Sequence, residues 1–264
     1  MRVLLGQLDA VPGDLAANAA SVAGALDAHP EAELAAFPEL ALTGYDLAAV
    51  ERLAVPEGSP ALDPIREAAQ RNGTAVVVGF AERREDGTAN AVACIDADGR
   101  WAATYRKVQC FDREAEHFVA GDELVVVELA GRRVAPLICF DVEFPEPARA
   151  VALAGAEVLV TVAANMEPYA PDHALAAAAR ALDNRRPHLY VNRVGAEAGL
   201  RFVGRSAAIG PDGEVAVRLG DQAETHVCDL PVGAPSPATD YLRLLRPTPG
   251  VNTVTSTLLE ENRS

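Results

Sequence analysis

The stretch VAPLICFDVEFPE, residues 134–146, changes from a strand pattern to a helix pattern at a cysteine. Residues 133–138 are apolar enough for a buried strand, and Pro145 can occupy the first turn of a helix over residues 145–154. Cys139 therefore lies at a strand-to-helix bend, where backbone N–H groups are available beside the thiol. An isolated cysteine is more often a small buried hydrophobe, so the ends of the other strands decide whether this one carries chemistry.

Short Val- and Leu-rich segments alternate with Ala-rich helical segments along the rest of the chain. This order predicts an α/β protein, and a tight Asp98-Gly99 turn between two strand patterns adds antiparallel pairs to the sheet. Mixed sheets covered by helices favour a four-layer αββα sandwich of two facing sheets. The predicted strands cover residues 2–8, 34–37, 74–80, 89–95, 100–105, 124–128, 133–138, 157–162, 188–192, 204–209, 214–218 and 225–230. The predicted helices cover residues 15–28, 63–72, 145–154 and 174–182.

Size and composition indicate one large domain over residues 1–230. Residues 231–264 are richer in Pro, Ser and Thr and show little periodicity, so we expect an oligomerisation arm or a partly disordered tail there. No run of eighteen apolar residues could span a bilayer, and the N-terminal segment lacks the pattern of a signal peptide. We therefore expect a cytoplasmic protein.

The charge pattern excludes some classes of partner. A net charge of -15 argues against binding to nucleic acid or to an anionic membrane surface, because both need a basic face. The four cysteines are scattered, which predicts free thiols rather than disulfides, and the five histidines are too dispersed to form a metal site. We expect Cys110 to be a packing residue. His173 is expected to cap or be solvated on a helix.

Lys107 is the only lysine among the 23 basic residues of the chain. An ammonium is a compact, rotatable point charge, whereas the guanidinium of arginine is a wide planar fork, so the two differ most inside tight pockets. Lys107 follows one predicted strand, Glu39 follows another and Cys139 follows a third. A carboxylate can take the thiol proton, the thiolate can attack a carbonyl or nitrile carbon, and the ammonium can stabilise the thiolate and the oxyanion. This chemistry needs no metal or cofactor.

These segments resemble the nitrilase, or carbon-nitrogen hydrolase, superfamily. The resemblance runs from residue 2 to about residue 230 and rests on FPELALTGY (residues 37–45), YRK (105–107) and ICFD with FPE (138–146). It implies an αββα sandwich, usually paired into a dimer, and a triad of Glu39, Lys107 and Cys139. It also implies that the Phe140 backbone N–H joins Lys107 in the oxyanion hole, and that no cofactor is used.

The resemblance also implies further site residues. A second glutamate is expected in DREAEHF, residues 112–118, as Glu114, with Glu116 as the alternative because the loop varies in length. The segment NMEPY, residues 165–169, resembles a pocket-lining segment. The residues predicted from these segments to contact the substrate are Tyr45, Asn165, Glu167 and Tyr169.

Glu143 follows the nucleophile by four residues. Glu143 occupies a position similar to that of an arginine in relatives that recognise a substrate carboxylate. The sequence around Glu143 is more similar to that of amidases of basic amides such as 5-aminopentanamide. We therefore expect Glu143 to favour ω-amino or ω-guanidino amides, unless an arginine neutralises its carboxylate.

The expected function is hydrolysis of a small aliphatic carboxamide through a cysteine thioester. Alternatives with the same triad are a nitrilase, an N-carbamoyl-amine hydrolase or an acyltransferase. A binding protein that keeps the fold without catalysis is a further alternative. Expected partners are a small amide and a second copy of the chain, in a homodimer or higher oligomer.

Overall fold

The computed structural model describes residues 1–232 and 241–246, which form two six-stranded sheets, a two-stranded hairpin and six α-helices. The strands are β1 Arg2–Gln7, β2 Leu34–Ala36, β3 Ala75–Arg84, β4 Gly87–Ile95, β5 Trp101–Arg106, β6 Val127–Leu129, β7 Arg132–Ile138, β8 Val158–Ala163, β9 His188–Asn192, β10 Val194–Glu197, β11 Leu200–Val203, β12 Ala207–Ile209, β13 Val215–Arg218 and β14 Glu224–Asp229. The helices are α1 Leu15–Ala28, α2 Val50–Leu53, α3 Asp63–Asn72, α4 Pro145–Leu153, α5 Ala170–Asn184 and α6 Tyr241–Leu244. Three 3-10 turns cover Pro60–Leu62, Asp112–Glu116 and Cys139–Glu143.

Both large sheets have a parallel centre and antiparallel flanks. The first has the order β14-β1-β2-β3-β4-β5, with β1, β2 and β3 parallel. The second has the order β13-β12-β9-β8-β7-β6, with β7, β8 and β9 parallel. The predicted mixture of parallel and antiparallel strands is therefore confirmed.

Alternating side chains along each strand separate the layers. Val3 and Leu5 belong to a buried cluster that joins the two sheets, whereas Leu4 packs with Val22 of α1 and Ile65 of α3. On the second sheet, the inner side chains join the same shared cluster. Its outer face packs against α4 and is formed by Ala135, Leu137 and Leu159, which contact Ala148 and Val151. The predicted four-layer αββα sandwich is confirmed.

Local signals explain where several helices begin and end. The Asp14 side chain caps α1 by accepting from the Ala17 N–H, 3.0 Å away. Helix α3 ends at Gly73, which has a left-handed φ of 65°. Helix α5 carries Pro171 in its first turn and begins at Ala170, four residues before the predicted start.

Other elements differ from the predictions. Strand β3 continues to Arg84 and pairs with β4 in a long hairpin, and the β10–β11 hairpin has no counterpart among the predicted strands. The strand predicted over residues 124–128 is shorter and later, Val127–Leu129. The predicted tail lies mostly outside the described residues. The part that is described includes α6, where Tyr241 has its ring 4.4 Å from the Arg185 guanidinium carbon. Among the helices in residues 1–232 and 241–246, none is both long and apolar enough to cross a membrane.

His188 is a fully buried titratable side chain at the start of β9. Its Nδ1 donates to Ala177 O at 3.0 Å, so its Nε2 accepts from the Thr161 hydroxyl at 2.8 Å. Burial lowers the pKa of this imidazole from 6.5 to about 4.

The unfolded chain therefore takes up this proton near pH 6.5, whereas the folded protein takes it up only near pH 4. We expect the free energy of unfolding to fall by about 2 kcal/mol between pH 7 and pH 5 through His188 alone. Urea unfolding at both pH values measures this in the wild type and in His188→Gln. The variant should lose correspondingly less, and an equal loss in the two proteins would contradict the prediction.

Candidate active site

The structure brings the ends of three strands to one place. Glu39 follows β2, Lys107 follows β5 and Cys139 follows β7. The Lys107 Nζ lies 2.7 Å from Glu39 Oε1, and both side chains are buried. The charges of Glu39 and Lys107 both act on the Cys139 thiol, which is also buried. The acid, the amine and the thiol singled out in the sequence therefore share one site.

The Glu39 carboxylate receives hydrogen bonds from both sheets. Asn90 Nδ2 on β4 donates to Oε1 at 2.7 Å, and the Ala164 N–H at the end of β8 donates to Oε2 at 2.7 Å. Sequence analysis missed Asn90, although a lone amide within an apolar strand was a usable signal. The close packing of residues 38–40 over β3 depends on Gly79, because a Cβ there would lie 2.4 Å from Pro38 O.

Glu114 is the second carboxylate on Lys107. Its Oε1 and Oε2 lie 2.9 and 2.8 Å from Nζ, and the carboxylate also accepts from the Tyr45 hydroxyl at 2.5 Å and the Phe111 N–H at 2.8 Å. The alternative, Glu116, is exposed and pairs with Arg113 at 3.3 Å. The structure thus places Glu114, and not Glu116, against the lysine.

Opposing effects act on the ionisation of Lys107 and Cys139. Burial alone would lower the pKa of Lys107, but Glu114 and Glu39 outweigh it and raise this pKa well above its usual value. Burial and the negative charge of Glu39 raise the pKa of the Cys139 thiol well above its usual value, against the lowering effects of Lys107 and the Ala164 N–H. The ammonium is therefore charged and the thiol neutral before a substrate binds.

The bend that carries Cys139 is held by a buried carboxylate. Cys139 has a φ of 47°, a left-handed conformation that a non-glycine residue adopts only when its surroundings impose it. Asp141 accepts from Ile138 N–H at 2.9 Å within the bend, and from Tyr105 OH at 2.7 Å and Gln109 N–H at 2.8 Å beside Lys107. Asp141 therefore ties the thiol segment to the lysine segment.

Two neighbouring cavities lie on this side of the protein, an inner pocket lined by Cys139 and a larger outer cavity that is not. The inner pocket encloses about 10 Å³, the space of roughly one water molecule, and the outer cavity encloses about 330 Å³. Tyr45, Phe111 and Met166 line both, so the two are adjacent. The other residues that line the inner pocket are Cys139, Phe140, Glu143, Asn165, Tyr169 and His173.

Most of the predicted substrate contacts lie at this inner pocket. Tyr45, Glu143, Asn165 and Tyr169 line it, with Tyr45 also bound to Glu114. Glu167 is exposed and lies outside both cavities, and its backbone N–H donates to Arg201 O at 3.0 Å. This placement does not support Glu167 as a substrate contact.

The prediction for His173 is wrong. Because α5 begins at Ala170, His173 falls inside the helix and turns inwards, where it is buried. Its Nε2 lies 3.2 Å from Glu143 Oε1, and its Nδ1 lies 2.9 Å from the Tyr190 hydroxyl. The partner of the Glu143 carboxylate is thus a histidine, while Arg180 Nη2 lies near the Glu143 backbone oxygen at 3.5 Å.

Within residues 1–232 and 241–246, no group of three or more His, Cys, Asp or Glu side chains is arranged to hold a metal ion. The polar side chains that line the inner pocket are a thiol, a carboxylate, an imidazole, an amide and two phenols, and the Lys107 ammonium and the Glu39 carboxylate act on the same thiol. These groups suit acid–base and nucleophilic chemistry.

Comparison with known proteins places the chain in a family. The carbon-nitrogen hydrolase family model matches residues 2–233. An (R)-stereoselective amidase of Pseudomonas sp. is 36% identical over 233 residues, 87% of this chain and 85% of that protein. The crystal structure of an amidase from Nesterenkonia sp. is similar with a TM-score of 0.84 and 31% identity, covering 93% of each chain.

A glutamate-to-glutamine variant of the amidase from Nesterenkonia sp. AN1 shows covalent addition of the acetamide moiety of fluoroacetamide at its active-site cysteine. It has a TM-score of 0.84 and 30% identity, and the match covers 93% of this chain and 94% of that one. The chain described here belongs to the carbon-nitrogen hydrolase family. Its four-layer sandwich is the fold of the nitrilase superfamily.

We predict that Lys107→Arg loses at least about a thousandfold in turnover while staying folded, because a planar fork cannot fit between two carboxylates spaced for an ammonium and still reach an oxyanion. Cys139→Ala should lose all turnover without unfolding. Arg71→Lys, the reverse exchange in the exposed pair with Asp27, is the control and should keep wild-type turnover. Wild-type rates from Lys107→Arg would refute the assignment of this lysine.

Proposed function

We propose that the protein is an amidase that hydrolyses small aliphatic carboxamides to the carboxylic acid and ammonia. The observation that carries this proposal is the buried Lys107 ammonium, held between Glu39 and Glu114 beside a buried thiol. The amidase names of the Pseudomonas and Nesterenkonia relatives support the same reaction.

In the first half-reaction, Glu39 takes the proton of Cys139 as the sulfur attacks the amide carbonyl carbon. The raised pKa of the thiol means that this proton must be removed during the attack, so a base is required. The Lys107 ammonium and the Phe140 N–H stabilise the negative oxygen of the tetrahedral adduct. The C–N bond then breaks, Glu39 returns the proton to the nitrogen, and ammonia departs. A thioester remains on the sulfur.

In the second half-reaction, Glu39 takes a proton from a water molecule whose oxygen attacks the thioester carbon. The C–S bond breaks, the carboxylic acid leaves and the thiol regains its proton. Glu114 does not need to exchange a proton in either half. Its hydrogen bonds from Tyr45 and Phe111 hold it in place, and it in turn holds the ammonium.

A panel of substrates of matched size separates amidase from the other reactions of this triad. Ammonia release and product analysis with an amide, the corresponding nitrile and an N-carbamoyl amine should show the amide as the best substrate. Alkylation of Cys139 by iodoacetamide should slow when an amide is present. A thiol that alkylates without substrate protection, together with no turnover of any substrate in the panel, would indicate a non-catalytic protein.

The preference of this amidase for ω-amino or ω-guanidino amides is the finer part of the proposal. Glu143 lines the inner pocket with Cys139, and its side chain is 29% exposed, so its carboxylate is accessible to a substrate. A negative group at this position attracts an ammonium and repels a carboxylate.

We predict that an ω-amino amide exceeds the ω-carboxy amide of the same length in kcat/KM. Glu143→Gln should narrow this difference by about 1.5 kcal/mol or more, since a charge-assisted contact is lost. The matched control is Glu146→Gln, which removes an exposed carboxylate three residues further on. Better hydrolysis of the carboxylate-bearing amide by the wild type would refute the charge preference and leave the amidase proposal intact.

We also propose that the chain forms at least a homodimer, on the strength of the family resemblance and of the apolar side chains that α4 and α5 expose, Leu153 and Leu175. Light scattering at micromolar concentration should give at least twice the 27.7 kDa of one chain. A particle of 27.7 kDa would contradict it. The cytoplasmic location stays a prediction.

A further inference from the structure

A chain of hydrogen bonds runs along one wall of the inner pocket and ends at Glu143. The hydroxyl of Tyr190 lies 2.9 Å from Nδ1 of His173. The other ring nitrogen, Nε2, lies 3.2 Å from Glu143 Oε1. Three different elements supply the participants: strand β9, helix α5 and the 3-10 turn of the nucleophile, which Glu143 closes.

The burial of these groups makes their hydrogen bonds matter. Tyr190 is 4% exposed and His173 is 3% exposed, so water cannot replace a missing partner. The Glu143 side chain at the end of the chain is 29% exposed. The polar chain thus begins in the protein interior and ends at a carboxylate that a substrate can reach.

The interior end of the chain is a protonated phenol. Burial raises the pKa of Tyr190 well above its usual value, so Tyr190 keeps its proton. Its O–H can donate to His173 Nδ1, 2.9 Å away.

The carboxylate end sets the tautomer. An ionised carboxylate oxygen can only accept, so the ring proton lies on Nε2 and is donated to Glu143 Oε1, and Nδ1 accepts from the Tyr190 O–H. The opposite tautomer would direct the lone pair of Nε2 at a carboxylate oxygen 3.2 Å away, and a doubly protonated ring would leave the Tyr190 O–H without its acceptor. A neutral ring leaves Glu143 with its full negative charge, and its Oε2 can bind a second donor.

We propose that Tyr190 and His173 are positioning residues that orient Glu143 as an ionised carboxylate at the inner pocket, and that they thereby set a preference for amides with a positively charged far end. This inference rests on the proposed amidase function. It adds two buried residues, neither of which contacts the cation, to the determinants of specificity.

The test is the ratio of kcat/KM for 5-aminopentanamide to that for hexanamide, in which a methyl group replaces the ammonium. General damage to the fold or to the triad lowers both values and leaves the ratio unchanged. His173→Asn and His173→Gln are a matched pair of variants. The side-chain amide of Asn extends only as far as Nδ1 of the histidine, whereas the amide of Gln extends as far as Nε2.

We expect His173→Asn to lower the ratio about tenfold and His173→Gln to keep it within about threefold of the wild type. Tyr190→Phe should lower this ratio by severalfold. The ¹⁵N spectrum of the wild type should show His173 only as the Nε2–H tautomer, and the spectrum of Tyr190→Phe should show a mixture of tautomers. The control for a His-to-Gln substitution is His29→Gln. His29 contacts Thr225 and Glu31 away from the site, so this variant should keep the wild-type kcat/KM ratio.

A wild-type ratio in both His173→Asn and Tyr190→Phe would overturn the inference, as would an Nδ1–H ring in the wild-type spectrum. A wild type that hydrolyses both amides with a ratio near one would also overturn it, while the amidase proposal stands. A wild type that hydrolyses neither amide would refute the proposed function itself, and the tautomer measurement would still decide whether the hydrogen bonds run as inferred.

Discussion

The site depends on one buried ammonium between two buried carboxylates. Taking three charges out of water is costly, and such a cluster persists only where every charged atom is hydrogen-bonded. Here the Glu39 carboxylate accepts hydrogen bonds from Asn90, Ala164 and Lys107. The Glu114 carboxylate accepts hydrogen bonds from Tyr45, Phe111 and Lys107. The cluster carries one positive and two negative charges. Its net negative charge favours a neutral thiol, so the same interaction that fixes the lysine also creates the need for a base.

The strand ends explain why sequence reasoning could group Glu39, Lys107 and Cys139, which the structure places together. Glu39 and Cys139 each follow an apolar strand pattern, whereas Lys107, the only lysine of the chain, follows a strand that is mostly half-buried. The carboxyl edge of a sheet is where side chains from distant segments meet. The distinction between Glu114 and Glu116 had no such support. Both lie in one 3-10 turn, and only its orientation against Lys107 buries one of them and exposes the other.

The misses have equally specific causes. The predicted helix began at residue 174, so His173 was expected to cap it or to be solvated. Helix α5 in fact begins earlier, with a proline and an aspartate in its first turn, and His173 lies within it with its ring buried. Tyr190 lies on an apolar strand and gave no sign that its hydroxyl has a partner. The left-handed Cys139 and the fit of residues 38–40 over Gly79 depend on contacts between segments far apart in sequence, which periodicity does not encode.

The two sheets divide the work of the site. The first supplies the ammonium and the two carboxylates that hold it, Lys107, Glu39 and Glu114. The second supplies the thiol and the wall formed by Glu143, Asn165 and His173. The halves meet through backbone donors: Ala164 to Glu39 and Gln109 to Asp141. Backbone N–H groups do not change when side chains are exchanged. The pocket wall can therefore be altered while the geometry between the Glu39 carboxylate, the ammonium and the thiol is kept.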